Sequence, residues 1–174
     1  MTCRYAFTIL PALAAALIAG TPVSADPART HDAGRAAGAA ALGLDGDRDG
    51  RLSPAEIERG AGGVFASADA DGDGRVDSAE MVDWRFGLRD IAAHRGRLEG
   101  HGVAMATAHD LFDRDDDGAV TRREMSQAFA FSATYADTDD DGMLSFDEFE
   151  RGFILSILIR NALSGAQSVA TLRE

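Results

Sequence analysis

The chain has 174 residues, 45% of them hydrophobic, with 29 acidic against 17 basic side chains and a formal net charge of −12. This balance argues against nucleic acid as a partner, because phosphate binding requires a basic face. The lone cysteine, Cys3, excludes an internal disulfide framework.

Residues 1–25 carry a short basic start at Arg4, an apolar run from Ala6 to Gly20, and small residues Val23 and Ala25 at a cleavage position. That pattern predicts a removed secretory signal, a mature chain from Asp26 and a periplasmic or secreted location. The apolar run is short and contains Pro11, which disfavours a membrane anchor, so no stable membrane insertion is expected after cleavage. Cys3 would leave with the signal, as would Arg4, taking the formal charge to −13.

Residues 26–164 form the expected domain. Residues 26–33 and the segment 165–174 read as flexible tails. A first helix is expected around Ala36 to Leu44, built largely of Ala, Gly and Leu.

Four twelve-residue segments then share one pattern: DGDRDGRLSPAE from Asp45, DADGDGRVDSAE from Asp69, DRDDDGAVTRRE from Asp113 and DTDDDGMLSFDE from Asp137. They hold 20 of the 29 acidic residues, so the acidity is concentrated in loops and is not that of a disordered tail. A loop that curls around a hard cation must present oxygens at alternating positions and turn sharply in the middle, and calcium takes six to eight oxygens. Positions 1, 3 and 5 supply carboxylates: Asp45, Asp47 and Asp49; Asp69, Asp71 and Asp73; Asp113, Asp115 and Asp117; Asp137, Asp139 and Asp141. Position 6 is always Gly (Gly50, Gly74, Gly118, Gly142), which takes a positive φ without steric cost. Arg51, Arg75, Ala119 and Met143 at position 7 would offer backbone carbonyls. Ser53, Asp77, Thr121 and Ser145 at position 9 would ligate directly or through water. Glu56, Glu80, Glu124 and Glu148 at position 12 would close each cage with two oxygens, favouring calcium over magnesium.

On these residues the chain resembles EF-hand proteins. It is similar to calmodulin in having four hands, and more closely to small secreted EF-hand proteins of Gram-negative bacteria. The resemblance implies an all-α fold of four helix–loop–helix motifs, short β-bridges between paired loops, and up to four Ca²⁺ ions.

Spacing refines the arrangement. Loops 1 and 2 begin 24 residues apart, as do loops 3 and 4, whereas loops 2 and 3 begin 44 apart. The short connections suffice for one helix of about 18 Å, not two antiparallel ones. One helix is therefore shared between loops 1 and 2, and another between loops 3 and 4. Loop 2 is left to pair with loop 3, Val76 opposite Val120, and loop 1 with loop 4, Leu52 opposite Leu144. The connection from Met81 to Phe112 should hold two helices broken around Gly96, Gly100 and Gly102. Each exiting helix opens on a [S/T/D]-x-x-E capping signal.

The expected core includes Ile57, Met81, Met125 and Phe149 after the closing glutamates. Phe65 and Phe112 precede loops 2 and 3. Met81, Trp84, Leu88 and Ile91 recur at helical spacing, and Phe129, Phe131 and Tyr135 lie on the second shared helix. The last helix, 146–163, is apolar on most faces. It reads first as a buried central helix, with a dimer or partner-protein face as the alternative. Gly60, Gly62 and Gly63 weaken the first shared helix, suggesting a kink there, and loop 1 is expected to be the weakest site. His31, His94, His101 and His109 show no ligand spacing and read as surface residues. Nothing resembles a nucleophile elbow, so no enzyme activity is expected. The sequence reads as an exported calcium store or calcium-stabilised module. The alternative is a sensor that exposes an apolar groove to a partner protein.

Overall fold

The computed structural model describes residues 41–84 and 88–164. The expected signal, the start of the first helix, His31 and the C-terminal tail lie outside the described residues. Residues 41–44 are helical and lead into loop 1, with the Asp45 N–H donating to the Ala41 carbonyl at 3.0 Å. The elements that follow are β1 (Arg51–Leu52), α1 (Pro54–Ala68), β2 (Arg75–Asp77), α2 (Ser78–Asp83), α3 (Leu88–His94), α4 (Leu98–Phe112), β3 (Ala119–Thr121), α5 (Arg122–Ala136), β4 (Leu144–Ser145), α6 (Phe146–Gly152) and α7 (Ile154–Ser164). The fold is all-α, with small antiparallel strand pairs joining the loops.

The strand pairing matches the spacing argument. β1 pairs with β4, placing Leu52 opposite Leu144, and β2 pairs with β3, placing Val76 opposite Val120. All four side chains are buried. The shared helices α1 and α5 each span 15 residues, about 22 Å at the α-helical rise. Each has a loop at both ends. Since loop 1 lies beside loop 4 and loop 2 beside loop 3, α1 and α5 run antiparallel against each other. Two contacts fix that register. The Arg122 guanidinium lies over the Phe65 ring at 5.0 Å, and the Ser126 hydroxyl donates to Glu58 at 2.9 Å.

The core fills the space between the helices. Ile57, Phe65, Met81, Trp84, Met105, Phe112, Met125, Phe129, Phe149 and Phe153 are all buried in it. Phe129 meets Phe112 and Phe153 edge-on, at 6.3 and 5.1 Å between ring centres, and Phe149 stacks on Phe153 at 4.6 Å. Edge-on and offset arrangements suit the ring quadrupole.

Several expectations are corrected. The glycines at 60, 62 and 63 do not break α1. Gly60 is instead a point of close approach, where a Cβ would fall 2.6 Å from the Leu44 Cδ2. The helix after loop 2 stops at Trp84, whose indole N–H donates to the Ser67 hydroxyl at 2.9 Å, and a new helix begins at Leu88. The break before α4 falls at Gly96 (φ 65), whereas Gly100 and Gly102 lie inside α4. Gly100 sits against α7, where a Cβ would meet the Ala162 carbonyl oxygen at 3.4 Å. The C-terminal helix is two helices, α6 and α7, separated at Phe153 (φ −70, ψ 125). α7 packs across α4, and its apolar residues are buried or half-buried. Phe131 and Tyr135 are exposed, not core. His101 and His109 are buried rather than on the surface, while His94 is exposed. Burial, with the Arg89 charge adding to it, holds the His101 pKa below its ordinary value.

Candidate metal centres

Each loop is a cage built on backbone geometry. Gly50, Gly74, Gly118 and Gly142 adopt φ of 86, 85, 90 and 82°, the left-handed region that turns the chain at position 6. The N–H of each of these glycines donates to the position-1 Asp Oδ2, at 3.0, 3.1, 2.8 and 2.9 Å. Position 4 is also left-handed, a feature the pattern reading missed. It is Gly72 in loop 2, but Arg48 (φ 64), Asp116 (φ 55) and Asp140 (φ 57) elsewhere. Asp tolerates this region better than most residues, so Arg48 is the most strained of the three.

The position-5 carboxylates accept the position-7 N–H within their own loops: Asp49 from Arg51 at 2.8 Å, Asp73 from Arg75 at 2.8 Å, Asp117 from Ala119 at 3.1 Å and Asp141 from Met143 at 2.9 Å. At position 12 each Glu spans its loop. Oε1 accepts the position-2 N–H: Gly46 to Glu56 at 2.7 Å, Ala70 to Glu80 at 2.8 Å, Arg114 to Glu124 at 3.0 Å and Thr138 to Glu148 at 2.9 Å. Oε2 accepts the position-9 N–H at 2.9–3.0 Å. The position-9 side chain in turn caps the exiting helix. All four capping boxes are therefore formed.

These bonds shape the ionisation of the closing glutamates. Donation from the Ser53 N–H and hydroxyl lowers Glu56 to about 2. The Ser145 and Thr138 backbone N–H groups, with both hydroxyls, lower Glu148 to about 2. Burial pushes Glu124 up, but donation from Thr121, Arg114 and Asp115 outweighs it, and the net direction is down.

Oxygen atoms of the expected residues converge in every loop. Those of Asp45, Asp47 and Glu56 lie within 4.8 Å of one another, as do those of Asp69, Asp71 and Glu80, of Asp113, Asp115 and Glu124, and of Asp137, Asp139 and Asp141. Position 5 of loops 1 to 3 and Glu148 of loop 4 fall outside these tightest groups. Carboxylates so close repel one another unless a cation joins them. The donor set is entirely oxygen, which suits a hard divalent cation.

Two cations already reach into the loops from across the strand pairs. Arg51 of loop 1 forms an ion pair with Asp141 Oδ2 of loop 4. Arg75 of loop 2 pairs with Asp117 Oδ1 of loop 3 at 2.6 Å and holds that carboxyl below its usual range. The sequence reading gave both arginines only a carbonyl role. The signal was present in the pairing itself, since Arg51 lies opposite Ser145 and Arg75 opposite Thr121.

Comparison with known families agrees with this geometry. An EF-hand family model matches residues 63–83 and 135–154, which cover loops 2 and 4. The match supports membership of the EF-hand superfamily. No curated protein and no solved structure matches the chain. EF-hand segments and acidic clusters together point to calcium binding. No helix among the described residues is long and apolar enough to cross a membrane.

Proposed function

We propose that the protein binds up to four Ca²⁺ ions, one in each loop, and acts as an exported calcium store or calcium-stabilised module. One observation carries the reading: in all four loops, three carboxylates converge on a common point with only oxygen donors. The residues that would hold the ions are the Asp at positions 1, 3 and 5, the position-7 carbonyl, position 9 and the closing Glu. Export rests on the signal-like residues 1–25. The activity is binding, without turnover of a substrate.

A second reading, a sensor that engages a partner protein, is favoured by one surface feature. Exposed Leu111 and Phe131 line a concavity with Ala128 and Ile154 beside loop 3. Calorimetric titration of residues 26–174 with calcium, in the presence of magnesium, tests the primary reading. Four calcium sites are expected, and no heat of calcium binding would overturn it. Fluorescence of a hydrophobic dye separates the two readings: a store binds less dye with calcium, and a sensor binds more.

A further inference from the structure

Both strand pairs carry the same asymmetric cross-link. The loop from the first half of the chain contributes a position-7 arginine, and the loop from the second half receives it on its position-5 aspartate. The reverse link does not exist, because position 7 of loops 3 and 4 is Ala119 or Met143. The receiving carboxylates are among the residues expected to hold the ions in loops 3 and 4. The two contacts differ in one respect. Arg75 shares Asp117 Oδ1 with the Ala119 N–H, so neither uses the second oxygen. Arg51 takes Asp141 Oδ2 while the Met143 N–H takes Oδ1, so both oxygens of Asp141 are engaged.

We propose that Arg51 and Arg75 are tethered counter-ions that couple the loops of each pair, each competing with a divalent cation for a carboxylate of the partner loop. The inference rests on the calcium reading above. Before the ion arrives, the guanidinium offsets part of the repulsion among the crowded carboxylates and ties the loops together. When a dication enters loop 4 or loop 3, it must share or displace that guanidinium, and the like charges repel. Loops 3 and 4 therefore bind more weakly than their acidic residues alone would give. The effect is larger at loop 4, where both Asp141 oxygens are in use. All four side chains are between about a third and two-fifths exposed, so screening limits the contribution. Exposed ion pairs correspond to about 1.4- to 5-fold in an equilibrium constant.

The position-6 glycine amides give one reporter per loop, because each donates to its own loop's position-1 carboxylate. The experiment is a calcium titration of the full chain followed by ¹⁵N NMR at Gly50, Gly74, Gly118 and Gly142. Wild type is compared with Arg51→Met and Arg75→Ala, which copy the residues loops 4 and 3 carry themselves. Arg51→Met is expected to move the Gly142 midpoint to lower calcium by about 1.4- to 5-fold, leaving Gly74 and Gly118 in place. Arg75→Ala is expected to move Gly118 in the same direction by less. An unmoved Gly142 midpoint in Arg51→Met overturns the proposal, and so does an equal shift at all four glycines, which would report net charge alone. Should a variant not fold, wild type suffices: rising KCl should lower the Gly142 midpoint relative to that of Gly50, and a constant ratio counts against coupling. If the wild-type glycine amides do not respond to calcium at all, the calcium reading itself fails, a result distinct from an unmoved midpoint.

Discussion

Gly152 closes α6 where it crosses the end of α5, and an added methyl group has no room there. A Cβ at this position would fall 2.7 Å from both the Cα and the Cβ of Ala136. Carbon atoms prefer separations of about 3.5–4.0 Å, so the two helices would have to part by close to 1 Å. The obstacle includes backbone, which cannot rotate aside. Overpacking of this kind costs about 1–3 kcal/mol. The helix preference of Ala over Gly, up to about 1 kcal/mol, offsets only part of it at a terminal position. Gly152→Ala should therefore lower stability by about 1–2 kcal/mol, or Tm by about 2–4 °C for each kcal/mol in a chain of this size. Ala136 directly precedes Asp137, the first carboxylate of loop 4, so the displacement should also raise the calcium midpoint at Gly142 more than at Gly74. Gly63→Ala is the matched control. It lies exposed within α1 with nothing within 4 Å of its added Cβ, and should stabilise by up to about 1 kcal/mol. Urea unfolding of both variants, with and without calcium, gives the comparison. A Gly152→Ala protein as stable as wild type would refute the close-contact reasoning.

The nested pairing predicts coupling between distant residues. Leu52→Ala and Leu144→Ala should each cost about 2–5 kcal/mol, and their double mutant should depart from additivity by at least about 0.5 kcal/mol, measured by urea unfolding. Leu52→Ala with Val76→Ala should be closer to additive. Arg48→Gly removes a left-handed arginine and should stabilise the protein by up to about 1 kcal/mol, seen as a raised thermal midpoint. Acid should act through the closing glutamates. Their folded pKa values near 2 for Glu56 and Glu148 lie below the unfolded value, about 4.3. Their stabilisation is therefore complete above about pH 4.3 and is lost as pH falls through about 2. Glu56→Gln should flatten that part of the acid-unfolding curve followed by circular dichroism. His101, buried with a lowered pKa, acts at higher pH. The unfolded chain takes up its proton first, so stability should fall as pH drops below about 6.5, and His101→Gln should remove that dependence.

The loop pairing was legible because chain length is a hard constraint: a short connection holds one helix, and a helix that joins two loops keeps them apart. The capping boxes were legible because position 9 and position 12 are set by local geometry. What escaped the sequence depended on contacts between distant segments. The run from Phe146 to Leu163 is apolar on most faces, and only the single Gly152 marks the break at Phe153, which follows from α7 folding back across α4. Gly60 read as a weakness, yet it admits Leu44 against α1. Phe131 and Tyr135 are ordinary core residues by composition, but face outward from α5. The reach of Arg51 and Arg75 lay within the register read from the spacing, but the loop pattern assigns position 7 only its backbone carbonyl.

The joining of β1 to β4 has a consequence for how the chain is made. A ribosome releases loop 1 first and loop 4 last, so the earliest cage to emerge waits for its neighbour until synthesis is nearly complete. Loops 2 and 3 meet sooner and form the inner closure, while the outer closure must come afterwards. Such long-range contacts slow folding compared with two hands paired side by side. A chain that ends before Leu144 would lose the partner of its first loop as well as its last cage, so damage at one terminus is felt at the other.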